Sequence, residues 1–220
     1  AMSTTPTPTA PPFQAIADLV RQHAMARPAQ QALLQGERSV TWGQLDAMVD
    51  RVAASLQRDG VQPQQAIAIC AANSLEYVAA FLGALRAGVV VAPLAIQSQP
   101  AQLAAMVADS GARHLFVDAG VPAFDTAAQR IAMDGSAVPS LAQWLLPAGA
   151  RPAAVAVQTG WAFNIIYSSG ITGEPKGIVQ SHGMRWAHVR RGLPYGYGPG
   201  AVTLLATPLY SNTTLVVFFP

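Results

Sequence analysis

Residues 167–177 read Tyr-Ser-Ser-Gly-Ile-Thr-Gly-Glu-Pro-Lys-Gly, and they follow the apolar run Trp161 to Ile166. The run reads as a buried strand, and the segment after it as a Gly-rich loop. Three glycines, three aliphatic hydroxyls and one lysine fall within eleven residues. Glycines let backbone N–H groups approach an anion closely, because no Cβ stands in the way. Ser168, Ser169 and Thr172 add hydroxyl donors, and Lys176 adds a compact positive charge suited to phosphate. Pro175 stiffens the chain just before that lysine. Together these residue types describe a cradle for a polyphosphate. The loop is expected to be mobile without ligand, since it offers few apolar contacts. It is not a Walker A loop, because Lys176 is followed by Gly177 and the preceding glycine, Gly173, lies three residues upstream. No G-x-G-x-x-G fingerprint occurs here. A plain surface turn rarely carries this many donors together with a Pro-Lys-Gly ending.

Upstream, the pattern alternates helix and strand. Phe13 opens a helix whose apolar face carries Ile16, Leu19, Val20 and His23. Ala32 to Leu34 and Arg38 to Val40 flank Gly36 as a short hairpin. Thr41 caps the next helix, and Gln44 completes a capping box. Leu45, Met48, Val49, Val52 and Leu56 form its buried stripe, and Gly60 ends it. Ala66 to Cys70 is a strand. Asn73 is read as the cap of the following helix, with Glu76 three residues on, and Gly88 as its stop. Val89 to Pro93 is a strand, Pro100 to Ser110 a helix, His114 to Val117 a strand. Arg130 to Ala132 reads as an edge strand and Leu141 to Leu146 as a short helix. Residues 147–160 form an Ala/Pro/Gly linker. After the loop, Ile178 to Ser181 is a returning strand and Gly183 to Arg191 a helix. Such alternation predicts a layered α/β unit with a largely parallel sheet flanked by helices.

The 167–177 segment resembles the phosphate-binding signature of the AMP-forming adenylating superfamily, which includes acyl- and aryl-CoA synthetases, peptide-synthetase adenylation domains and luciferases. It matches everywhere except Ile171, where the family carries Thr or Ser. Val40-Thr41-Trp42-Gly43-Gln44-Leu45 and Leu85-Arg86-Ala87-Gly88-Val89-Val90-Val91-Ala92-Pro93-Leu94 resemble two earlier family motifs, in family order. Pro208-Leu209-Tyr210-Ser211 resembles the stretch that borders the carboxylic-acid pocket in CoA ligases, with Ser211 in place of a His. The resemblance implies that Ser168, Ser169, Gly170, Thr172, Gly173 and Lys176 hold ATP phosphates, and that Tyr210 and Ser211 are acid-pocket candidates. It implies ATP with magnesium, a small-molecule carboxylic acid and coenzyme A as the reacting partners. The acid attacks the α-phosphate to give an acyl-adenylate and pyrophosphate, and a thiol then displaces AMP. Tyr-Ser-Ser-Gly and Pro-Leu-Tyr-Ser favour a CoA ligase. An amino-acid-activating module of a peptide synthetase, or a catalytically inert nucleotide-binding or interaction fragment, are the alternatives.

Composition bounds the rest. The chain has 220 residues, with 51% hydrophobic and 11% charged, against about 25% charged in an average soluble domain. The interior is therefore extensive, or some apolar surface is normally covered. The net charge of +2 and the absence of an aromatic–basic repeat argue against nucleic-acid binding. Arg185, Arg190 and Arg191 form the one basic cluster and read as a solvated helix face. Cys70 is the only cysteine and sits in an apolar run, so it reads as an inert buried thiol. No metal site, membrane span or signal peptide is read, which makes the cytoplasm the default location. Residues 1–12 read as a disordered tail in which Ala1 is a cloning scar. Residues 13–220 are expected to be the leading part of a large adenylation domain, incomplete at its C-terminus. Later family motifs have no counterpart in them, and the chain alone is expected to lack ligase turnover.

Overall fold

A computed structural model describes residues 11–168 and 175–220. Its centre is a six-stranded sheet. In chain order the strands are β3 (Ala66–Cys70), β4 (Val90–Pro93), β5 (His114–Val117), β6 (Gln129–Ala132), β7 (Ala162–Ser168) and β8 (Lys176–Ser181). They lie in the order β6-β5-β3-β4-β7-β8. All neighbours are parallel except β7 and β8, which run antiparallel. A separate antiparallel hairpin pairs β1 (Gln31–Gln35) with β2 (Arg38–Thr41). The turn between them uses Gly36 at φ +59°.

The helices cover both faces, which is why β3, β4 and β5 are buried along their whole length. One face carries α1 (Ile16–Ala26), α2 (Trp42–Arg58), α3 (Leu75–Arg86), the single turn α5 (Leu141–Trp144), α6 (His182–Gly192) and α7 (Asn212–Phe218). Its core takes Ile67, Ile69, Val91 and Phe163 from the sheet. The other face carries α4 (Pro100–Ser110), and takes Ala68, Cys70, Ala92 and Leu115. The period-two alternation of strand side chains thus divides the two cores. Burial pushes the Cys70 thiol up to about 12, as an inert core cysteine requires.

Local signals work as read at Thr41, whose side chain accepts from the Gln44 N–H while Gln44 Oε1 accepts from the Thr41 N–H. Gly60 and Gly88 stop their helices at φ +75° and +71°. The apolar run before Pro220 forms α7, a helix not read from the sequence. Asn73 is not a cap: Ser74 takes that place and accepts from the Tyr77 N–H. Arg185 is not on a solvated face but entirely buried. Apolar side chains do remain uncovered along the outer strand and after α6, Ile178, Val179, Leu193, Tyr195, Val202 and Leu204 among them.

The α2–α3 pair packs closely through Gly83 of α3 and Val52 of α2. A Cβ added to Gly83 would lie 2.4 Å from the Val52 side chain. Gly83→Ala is therefore expected to destabilise by about 2 kcal/mol, overpacking outweighing the gain in helix propensity. The double variant with Val52→Ala is expected to recover part of that loss. Urea unfolding of the two variants checks this; a more stable Gly83→Ala single variant would rule the close approach out.

Candidate functional site

The signature loop joins the antiparallel pair β7 and β8. Ser168 is the last residue of β7, Lys176 the first of β8, and the two are cross-strand partners. The returning strand thus begins two residues earlier than read. Val91 of β4 is level with Asn164 of β7. Ser168 lies four residues beyond Asn164, so the loop opens at the carboxyl end of the parallel strands. That end is where open α/β sheets bind ligands. Ser168 and Lys176 are both exposed there. The remaining phosphate candidates, Ser169, Gly170, Thr172 and Gly173, lie outside the described residues, as does the expected mobility of their loop.

The strand that precedes the loop is tied to α4. The Tyr167 hydroxyl donates to Asp109 Oδ2 at 2.6 Å and lies 3.2 Å from the Met106 carbonyl oxygen. Burial and the Asp109 carboxylate raise its pKa. The phenol therefore stays protonated and keeps its role as donor. On the other strand, a Cβ at Gly177 would lie 2.8 Å from the Ile165 side chain, so this glycine permits close packing next to Lys176.

The acid-pocket candidates sit at the same end of the sheet. Tyr210 is half-buried, and its hydroxyl donates to Gln97 Oε1 at 2.9 Å, in the loop after β4. Ser211 precedes α7, and its side chain makes no capping bond there. Leu209, between them and Pro208, is anchored in the core. Asn73, in the loop after β3, reaches this segment. Its Nδ2 donates to the Thr207 carbonyl at 2.9 Å, and its Oδ1 accepts from the Leu209 N–H at 2.8 Å.

Beneath this segment lies a polar cluster that sequence reading missed. Arg185 of α6 donates through Nε and Nη2 to Asn164 Oδ1 at 3.2 and 3.1 Å, and through Nη2 to Gln180 Oε1 and to Asn212 Oδ1, the last at 2.9 Å. Its guanidinium also lies 5.7 Å from the centre of the Phe163 ring. No carboxylate pairs with it among the described residues, and its Nη1 has no partner there. Burial lowers its pKa to about 10, which still leaves it charged near neutrality. His182, one turn earlier on α6, is buried against Phe163, and burial lowers its pKa to about 4. An arginine three residues after a histidine on a helix gave no sequence signal of burial, because the amides that solvate it come from β7, β8 and α7.

A depression of about 690 Å³ opens at the carboxyl ends of β3, β5 and β6, lined by Arg38, Asn73, Glu76, Ile96, Asp118 and Asp134 among others. It lies where the strand order reverses, between β3 and β5. Ser168, Lys176, Tyr210 and Ser211 do not line it, since β7 and β8 stand on the far side of β4. Asp118 and Asp134 are engaged by backbone N–H groups of Ala72 and Ala119, each at 2.7 Å. Among the described residues no group of three His, Cys, Asp or Glu is placed to hold a metal ion. No helix of the described residues is long and apolar enough to cross a membrane.

An exposed lysine beside a Gly-rich connection thus stands at the carboxyl end of a doubly wound sheet, the end at which such folds bind ligands. The chain belongs to the AMP-binding enzyme family, whose model matches residues 20–220. It is 33% identical over 188 residues to the nonribosomal peptide synthetase gloA of Glarea lozoyensis, covering 83% of this chain and 3% of that protein. It is also 33% identical over 167 residues to the 3-hydroxybenzoate–CoA ligase of an Aromatoleum species, covering 70% of this chain and 31% of that one. Among solved structures, O-succinylbenzoate coenzyme A synthetase from Bacillus subtilis, in complex with AMP, superposes with a TM-score of 0.77 at 25% identity, covering 91% of this chain and 51% of that chain. The chain thus spans at most about half the length of these relatives. CoA ligases and peptide-synthetase adenylation units both stand among them.

Proposed function

We propose that residues 13–220 are part of an adenylating ligase that activates a carboxylic acid lacking an α-ammonium group and passes it to coenzyme A. The observation that carries the choice of acid is the charge beneath Pro208–Asn212. An amino-acid substrate brings an ammonium, which asks for a carboxylate in its pocket. Here the side chains that hydrogen-bond the segment from the loops after β3 and β4, Asn73 and Gln97, are neutral, and the buried charge reaching Asn212 is the positive one of Arg185. A cation there disfavours a second cation in low dielectric. Coenzyme A as acceptor is supported by the Tyr-Ser-Ser-Gly form of the loop and by relatives such as the 3-hydroxybenzoate–CoA ligase.

In this reading ATP supplies the activated anhydride, and magnesium arrives with its phosphates. Ser168 and Lys176 bind the β- and γ-phosphates at the mouth of the β7–β8 pair, with Ser169, Gly170, Thr172 and Gly173. Lys176 is exposed, so it can meet a polyanion without prior burial of its charge. Its contribution grows as charge builds on the departing pyrophosphate, which is electrostatic stabilisation and positioning, not covalent catalysis. Tyr210 and Ser211 border the acid.

The test is ATP–pyrophosphate exchange by a polypeptide of the family's full length that carries this chain, with benzoates, fatty acids and the common amino acids. Exchange is expected with at least one acid that lacks an amino group, and background exchange with amino acids. Coenzyme A is expected to accelerate AMP release. Exchange confined to amino acids would transfer the chain to the peptide-synthetase class. Exchange with none would favour an inert nucleotide-binding unit.

A further inference from the structure

We infer that Asn73 is a positioning residue for the acid pocket: its side-chain amide sets the path of Thr207 to Ser211 and so the affinity for the acid. The inference rests on the pocket reading given above.

The geometry is a two-point clamp. Pro208 has no N–H, and the polar backbone groups on either side of it are the Thr207 carbonyl and the Leu209 N–H. Asn73 meets both, as donor through Nδ2 and as acceptor through Oδ1. A primary amide has one acceptor and one donor end, so it can satisfy this pair where an ionised carboxylate, which only accepts, cannot. The contact spans more than 130 residues of chain and joins the loop after β3 to the pocket candidates.

Asn73 is itself held. Gln35, at the end of β1, donates from Nε2 to the Asn73 carbonyl at 3.1 Å and accepts at Oε1 from the Leu75 N–H at 3.3 Å. Ser74 takes over the capping of α3, which leaves the Asn73 amide free for the segment. On the far side, Thr207 Oγ1 and Thr214 Oγ1 lie 2.6 Å apart, and Tyr210 is held by Gln97. The pocket segment is therefore fixed from the loop after β3, from α7 and from the loop after β4. Among the described residues, only Asn73 fixes its backbone on both sides of Pro208. Binding groups placed this way need support that locks them before the ligand arrives.

The experiment compares Asn73→Ala, Asn73→Asp and Tyr210→Ala. In the full-length polypeptide, KM values for ATP and for the best acid of a benzoate and fatty-acid panel are read from pyrophosphate exchange. Asn73→Ala is expected to raise the KM of the acid roughly tenfold, as loss of two hydrogen bonds implies, with the KM of ATP changed less than about twofold. Asn73→Asp is expected to raise the KM of the acid as well at pH 8, because the carboxylate still accepts from the Leu209 N–H but turns no donor to the Thr207 carbonyl, and to recover toward wild type as pH falls and a protonated carboxyl restores the donor. A merely structural role would not produce that pH-dependent rescue. A raised acid KM in Tyr210→Ala with none in Asn73→Ala overturns the inference and leaves the pocket reading standing. No change in either variant overturns the pocket reading itself. Amide hydrogen exchange on the chain needs no substrate: in Asn73→Ala, protection is expected to fall at Leu209–Ser211 and to persist in α3. Unchanged protection at Leu209 overturns the clamp.

Discussion

Lys176→Ala in the full-length polypeptide is expected to slow ATP–pyrophosphate exchange at saturating acid about a hundredfold, equivalent to roughly 3 kcal/mol in the transition state. Lys176 is the single lysine among the 13 cationic Lys and Arg residues of the chain. A sequence that uses arginine everywhere else places a compact, rotatable point charge at the mouth of the loop. Its backbone is paired with Ser168 as the first residue of β8, so the charge is delivered from a strand end and not from the loop itself. The acid-pocket candidates Tyr210 and Ser211 belong to a different segment, which Asn73 and Gln97 hold. The KM of the acid is therefore expected to stay within about twofold. Lys176→Arg is expected to restore only part of the rate, since a planar fork does not fill the place of an ammonium. An exchange rate unchanged in Lys176→Ala would make this loop a turn and not a phosphate clamp.

Arg185→Ala is expected to lower the stability of the chain by about 3–5 kcal/mol, the range for breaking a buried charged network. Arg185 is entirely buried. Its removal leaves the oxygens of Asn164, Gln180 and Asn212 facing a cavity, with Asn164 and Gln180 retaining only their mutual bond at 3.1 Å and Gln180 Nε2 its bond to Asn212 Oδ1 at 3.1 Å. The cavity adds its own cost. Arg185→Met is expected to lose less than half as much, because it fills most of the volume and removes a charge that the interior solvates only with neutral amides. Urea unfolding near pH 7 measures both. A loss below about 1 kcal/mol in Arg185→Ala would show that the amide cluster relaxes without its cation.

Much of this protein was legible in its sequence for local reasons. Capping boxes, glycine stops and fully apolar strands are decided by near neighbours and by burial on two faces. They yielded the hairpin, the helices before residue 111 and the parallel sheet with few errors. The motif at 167–177, with two earlier motifs, placed the chain in its family by residue types alone. Tertiary structure decided what side chains do at long range. Asn73 and Ser74 are both good caps by composition, and only the arrival of the Thr207–Leu209 stretch determines that Asn73 holds that stretch while Ser74 serves the helix. Arg185 stands in a run with Arg190 and Arg191, and a run of arginines reads as solvated. It is buried because Asn164, Gln180 and Asn212, distant in sequence, converge on it from three elements. Local propensity is written in each residue and its neighbours, whereas the partner of a buried polar group exists only after the sheet has brought separate segments together.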